Sequence, residues 1–208
     1  MERITWRLMF LFILMGSIMG CKKEEPISYE DALKNCKPDS MSMINFNGDT
    51  TKIPFLKSDC VIGAQFPMFI DSTIDGRPVD AEYFMNKINV LNFWFIGCQP
   101  CQAEMPGFNA LVEKYKGKPV NFMALSRNKP KDIEEFLQEH PFNVDHVGWG
   151  ELITQDIYHM RWGYPTTMVT DANNKIIFTK SGGADDTTAV QKIQEELIPV
   201  IDGALEKM

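Results

Sequence analysis

The sequence predicts an α/β fold, a central mixed sheet flanked by helices, and three observations predict it. An apolar run of Val90, Leu91, Phe93, Trp94, Phe95 and Ile96, interrupted only by Asn92, has the length and composition of a strand buried on both faces. Strand-like and helix-like segments alternate after it, as parallel pairing requires. Near the end, two strand-like segments flank the polar turn Asp171-Ala172-Asn173-Asn174, the pattern of an antiparallel hairpin. With 208 residues, 44% apolar and 24% charged, the chain holds one domain with a full core and a short extra segment. A formal charge of -7 without a long Lys/Arg block argues against nucleic acid as a partner.

Taken in order, residues 1–20 read as a secretory signal: Arg3 and Arg7 precede the apolar stretch Leu8 to Met19. That stretch is about 12 residues, roughly 18 Å as a helix, which is short for a bilayer core of about 30 Å. Ile18-Met19-Gly20-Cys21 resembles the bacterial lipobox, which implies lipidation at Cys21 and a membrane anchor; Met19 stands where a small residue is usual. The other reading is an ordinary secreted protein. Residues 21–26, charged and ending in Pro26, make a solvated tether.

Residues 27–62 form an N-terminal extension, irregular or β-rich, with Asn47-Gly48-Asp49 as a hairpin turn. Of the five cysteines, Cys36 and Cys60 fall here. In an oxidising compartment they are expected to pair as a structural disulfide, closing a loop of about 25 residues worth roughly 3 kcal/mol; two buried free thiols are the alternative.

The main domain is expected over 63–208. Met68-Phe69-Ile70 begins the regular pattern, Asp75-Gly76 is a turn, and Ile88 to Phe95 is the central strand. The helix after Cys98 carries Met105, Phe108, Leu111, Val112 and Tyr115 at helical spacing. Val120 to Leu125 is a strand, Lys131 to His140 a helix, and Leu152 to Met160 a short helix. Thr166 to Thr170 and Lys175 to Thr179 form the hairpin. Thr187 to Leu205 is the closing helix, with Pro199 a kink.

The chemistry sits where the central strand ends. Cys98-Gln99-Pro100-Cys101 opens a helix there, and the free N–H groups and aligned dipoles of a helix start stabilise a thiolate. A second thiol one turn on can release a mixed disulfide formed by the first. The pair is therefore expected to form a redox-active disulfide, Cys98 attacking and Cys101 resolving. Structural zinc needs two close ligand pairs, which Cys36 and Cys60 do not supply, and His140, His146 and His159 show no metal spacing, so no metal and no cofactor is expected.

Leu91-Asn92-Phe93-Trp94-Phe95-Ile96-Gly97-Cys98-Gln99-Pro100-Cys101-Gln102-Ala103-Glu104-Met105-Pro106 resembles the active-site segment of the TlpA/ResA-like thioredoxin family, and Gly163-Tyr164-Pro165-Thr166-Thr167 its second signature. The likeness spans about residues 63 to 205. It implies a thioredoxin-like fold and a membrane-associated, extracytoplasmic protein-disulfide reductase acting on protein thiols and disulfides. It further implies that Pro165 is cis and faces the dithiol, with the Tyr164 backbone free to pair with substrate. Glu104 matches a functional glutamate of the family and is placed to shuttle a proton for the thiols; a solvated helix residue is the plain alternative. Asn92 replaces the aspartate that thioredoxins bury beneath the dithiol, Gly97 stands where many relatives have tryptophan, and Pro106 matches a helix kink. The family also implies an integral-membrane electron donor.

Three other functions fit the sequence less well. A peroxidase would need a hydroxyl three residues before its reactive cysteine, where Phe95 stands. A thioredoxin-fold copper chaperone suits paired soft thiolates but uses a wider spacing and a partner histidine. A non-catalytic binding module has no use for both thiols and the proline motif. Pro100 before the second cysteine resembles reductants, although dithiols of this kind span about -270 to -120 mV. The substrate stays open among apocytochrome c thiols, misoxidised exported proteins and a dedicated partner. So does the side of the membrane: a periplasm-facing anchor is the default, and Lys22-Lys23-Glu24-Glu25 resembles a surface-export tag.

Overall fold

A computed structural model describes residues 26–208 apart from 151, 160 and 161. The signal-like segment 1–20, Cys21 and the tether up to residue 25 lie outside the described residues.

The chain opens with α1 (Tyr29–Lys34), where sequence reading expected only irregular or extended structure. Ser28 caps it by accepting from the Asp31 N–H, and Glu30, Asp31 and Lys34 suit its two ends. The hairpin β1 (Pro38–Ile44) and β2 (Thr50–Leu56) follows, turning through Asn45 to Asp49 with Gly48 at φ +87. Asn45 Oδ1 accepts from the N–H groups of Asn47 and Asp49 and closes that turn. A single 3-10 turn, Ser58–Val61, carries Cys60, which is bonded to Cys36.

The five-stranded sheet has the order β7-β6-β5-β8-β9, comprising β5 (Ile88–Trp94), β6 (Val120–Ser126), β7 (Asp145–Val147), β8 (Thr166–Thr170) and β9 (Ile176–Ser181). β5, β6 and β7 run parallel, and β8 and β9 pair antiparallel. Every residue of β5 is buried, Asn89 and Asn92 included, as a largely apolar central strand requires. On one face, Leu91, Phe93, Met123, Leu125 and Met168 pack against Phe66, Phe69, Phe84 and Tyr158, and Tyr29, Ala32 and Val61 of the extension join the same core. The opposite face carries Val90, Trp94, Phe122, Ala124 and Val169 beneath α3 (Gln99–Lys114), α4 (Pro130–Leu137) and α5 (Ala189–Leu205). The short pair β3 (Asp71–Ser72) and β4 (Pro78–Val79) and the turn-length α2 (Ala81–Phe84), capped by Asp80, complete the fold. Among the described residues no helix is long and apolar enough to cross a membrane.

Several boundaries differ from expectation. Met68 to Ile70 is not regular, and Ile70 is left exposed. The segment expected as a helix from Leu152 to Met160 is a wide π turn, Ile153–Ile157, with Tyr158 N–H bonded to the Ile153 carbonyl; Met160 lies outside the described residues. The wider offset lets Ile153, Thr154 and the fully buried Tyr158 face the core together. α4 ends at Leu137 rather than His140, its end tightening as the Gln138 and Glu139 N–H groups bond three residues back to the Glu135 and Phe136 carbonyls. α5 begins at Ala189 rather than Thr187; Asp186 accepts from the Thr188 N–H just before it.

Candidate functional site

β5 ends at Trp94, and the chain turns so that Cys98 becomes the N-cap of α3. Its Sγ accepts from the Cys101 N–H at 3.3 Å, and Pro100 sits where a helix needs no N–H partner. Cys98 and Cys101 are disulfide-bonded with Cα atoms 5.2 Å apart, and both are buried. The loop before them is tied on three sides. Cys98 N–H donates to the Phe95 carbonyl, Gln102 Nε2 to the Ile96 carbonyl, and Ile96 N–H to Asn128 Oδ1.

The Tyr164–Pro165 peptide is cis. Thr166, the next residue, pairs with Phe93 near the end of β5, so the proline loop and the dithiol loop share one end of the sheet. Tyr164 packs edge-on to Phe95 at 5.4 Å, with the Arg127 guanidinium 4.6 Å above the same Phe95 ring. Both Tyr164 and Phe95 pack against the core cluster that contains the two cysteines.

Glu104 is on the buried face of α3, with Cys101 one turn back and Met105 and Phe108 beside it. It is not solvated: only 2% of it is exposed, and Oε2 has no hydrogen-bond partner. Burial pushes its carboxyl up to about 7, opposed by the positive charge of Lys180 and assisted by Glu196. Its other oxygen lies against Gly183: a Cβ there would stand 2.7 Å from Glu104 Oε1 and 3.0 Å from Pro165 Cγ. The carboxyl, the cis proline and the end of β9 thus meet at one point. Asn92, buried, donates from Nδ2 to Thr167 Oγ1 at 3.2 Å.

Trp94 is core, packed against Phe136, Phe142 and His146. His146 is buried, with Nε2–H donating to the Phe142 carbonyl at 2.8 Å, and burial pushes its imidazole below the ordinary value. His140 stacks on Phe136 and His159 is exposed. Among the described residues no three His, Cys, Asp or Glu side chains gather as metal ligands. Sequence reading did not single out Gly183, Lys180, Glu196, Asn128 or Arg127.

This is a thioredoxin-type fold with a vicinal disulfide at the start of its first long helix. Residues 62–179 match the model of the AhpC/TSA family, and the chain belongs to that family. It is similar to the thiol-disulfide oxidoreductase ResA of Bacillus thuringiensis subsp. konkukian, 32% identical over 120 residues, covering 56% of this chain and 67% of that one. The ResA of Bacillus anthracis is 36% identical over 126 residues, covering 58% and 70%. Among solved structures, a Chlorobium tepidum protein assigned as the thiol:disulfide interchange protein DsbE superimposes with a TM-score of 0.59 at 25% identity, covering 68% of this chain and 95% of that one. The chain is a thiol-disulfide oxidoreductase of the thioredoxin fold.

Proposed function

We propose that the protein reduces protein disulfides outside the cytoplasm, with Cys98 as nucleophile and Cys101 as resolving thiol. The observation that carries this reading is the cap itself: Cys98 Sγ accepts a backbone N–H at the positive end of a 16-residue helix, the contact that stabilises a sulfur anion. In the reduced enzyme the Cys98 thiolate attacks a substrate disulfide, forming one S–S bond as another breaks and a substrate thiolate leaves. Cys101 then gives its proton to the Glu104 carboxylate and attacks Cys98 Sγ. The second substrate sulfur departs with the electron pair, and the Cys98–Cys101 disulfide carries the oxidation. Two electrons pass from the dithiol to the substrate. The Tyr164 backbone at the cis proline is the site at which a substrate strand pairs.

The same reading places the chain at a membrane, held by a lipid on Cys21 after removal of residues 1–20, with 21–26 as tether, 27–62 as extension and 63–208 as catalytic domain. An integral-membrane dithiol carrier returns the electrons. The sequence features behind this are the short apolar segment ending at Cys21 and, for the direction of flow, Pro100. Insulin-disulfide reduction tests the chemistry. Cys98→Ser is expected to abolish turnover and Cys101→Ser to accumulate a mixed disulfide visible by mass; undiminished activity in both would refute it. Membrane fractionation of Cys21→Ser tests the anchor, with release into the soluble extracytoplasmic fraction expected and unchanged membrane retention contradicting it.

A further inference from the structure

Lys180 of β9 stands opposite Thr167 of β8, which stands opposite Asn92 of β5. Cross-strand partners carry their side chains on the same face of a sheet, and the Asn92–Thr167 hydrogen bond spans the first pair. The row Asn92, Thr167, Lys180 therefore faces α3 and α5, whose Met105, Phe108, Ile193 and Leu197 fill that side with apolar groups. A polar seam crosses this apolar layer. Glu104 lies beside it, its Oε1 against Gly183 just past the end of β9 and its Oε2 unpartnered. At its outer end Lys180 Nζ meets Glu196 Oε2 of α5 at 2.5 Å, the two side chains 23% and 37% exposed.

Glu104 is touched by the loop that follows β9, where Gly183 lies against Oε1 three residues beyond Lys180; the charges acting on the carboxyl are those of Lys180 and, more weakly, Glu196. No direct hydrogen bond fixes Oε2, so the charge of Glu104 depends on burial and on this neighbouring pair. Glu196 divides the field of Lys180. Without Lys180 the carboxyl would stay protonated and unable to take a proton from Cys101. Without Glu196 the freed ammonium would hold it as a carboxylate too weakly basic to accept one.

We propose that Lys180, held by Glu196, is a positioning residue for thiol exchange: it sets the charge of Glu104 and so the proton acceptor available to Cys101. The proposal deepens the reading of Cys98 and Cys101 as the working dithiol and rests on it. No step is added to the reaction. The proton leaves Cys101 Sγ for Glu104, and the pair on β9 and α5 decides over which pH range that transfer is open.

The test is a carbon-13 NMR titration of the Glu104 carboxyl in the reduced protein, alongside the pH profile of insulin-disulfide reduction. Lys180→Met is expected to move the titration upward by about one pH unit or more, with the acidic limb of kcat/KM following it. Glu196→Gln is expected to move both downward, and Lys180→Arg to restore the wild-type positions. Loosened packing would lower activity at every pH in both variants and would not displace the limbs in opposite directions. Titrations that move the same way or not at all would overturn the proposal, and so would a pH profile that stays put while the carboxyl moves. Activity retained by Cys98→Ser would instead remove the reading underneath, and the two failures are distinguishable because the carboxyl titration needs no turnover.

Discussion

The two disulfides of this chain have the same bond and nearly the same span, with Cα atoms 5.3 Å apart at Cys36–Cys60 and 5.2 Å at Cys98–Cys101, but their sulfurs face opposite ends of the peptide group. Cys36 follows the C-terminus of α1, where its Sγ lies 3.6 Å from the Ala32 carbonyl oxygen, and Cys60 Sγ lies 3.1 Å from the Lys57 carbonyl oxygen. Oxygens so placed repel a thiolate. Cys98 sits at the N-terminus of α3 with its sulfur toward an N–H, which attracts one. On the proposed reading, the helix end that a sulfur occupies decides which pair is reactive. Loop length separates the pairs as well: a separation of 24 residues makes the first an effective entropic staple, and a separation of 3 leaves the second little of that role.

The largest effect expected of that contrast is at Cys98. Cys98→Ser should reduce insulin-disulfide turnover by about a thousandfold or more, since the nucleophile itself is removed. Removing the staple should do the reverse. The double substitution Cys36→Ala with Cys60→Ala is expected to cost roughly 3 kcal/mol of stability in urea unfolding while kcat/KM of the folded protein stays within about twofold. Loss of turnover to match the lost stability would break the comparison.

Glu104 sharpens it through pH. Its folded value of about 7 is above its ordinary 4.5, so the native state binds the proton more tightly than the unfolded chain. Stability is then fully present below about pH 4.5 and declines as pH rises to about 7, by on the order of 3 kcal/mol. Buried His146 acts with the opposite sign, its contribution lost as pH falls below the ordinary imidazole value. Unfolding of wild type minus that of Glu104→Gln across this window isolates the carboxyl, and the difference should slope as stated. The smallest effect is expected at Gly183→Ala, where a methyl group would crowd Glu104 Oε1 and Pro165. A cost of about 1 to 3 kcal/mol in thermal unfolding is expected.

The parts of the fold that long-range burial imposes were legible in sequence. The run from Val90 to Ile96 could only be a strand covered on both faces, and Met105, Phe108 and Leu111 could only mark one face of a helix. Short elements were not. α1 has six residues and β7 has three, too few for a periodic pattern to stand above composition. The π turn at Ile153 reads as a helix in sequence because its apolar residues satisfy helical spacing as well. At the site, Cys98, Cys101 and Pro165 were named by motif, and Glu104 by its distance along one helix. Lys180, Glu196 and Gly183 reach Glu104 from β9, α5 and the loop between them, and nothing local in sequence couples those positions.

On the proposed reading, helix-end placement makes Cys98–Cys101 the working pair and Cys36–Cys60 the inert one. A graded redox titration of the oxidised protein, trapped by alkylation and read by mass for each cysteine, tests it directly. The Cys98–Cys101 pair is expected to open first, within about -270 to -120 mV, with Cys98 alkylated as a thiolate well below the free thiol pKa of about 8.5, while Cys36–Cys60 resists to below about -300 mV. Opening of both pairs together, or of Cys36–Cys60 first, would contradict the account.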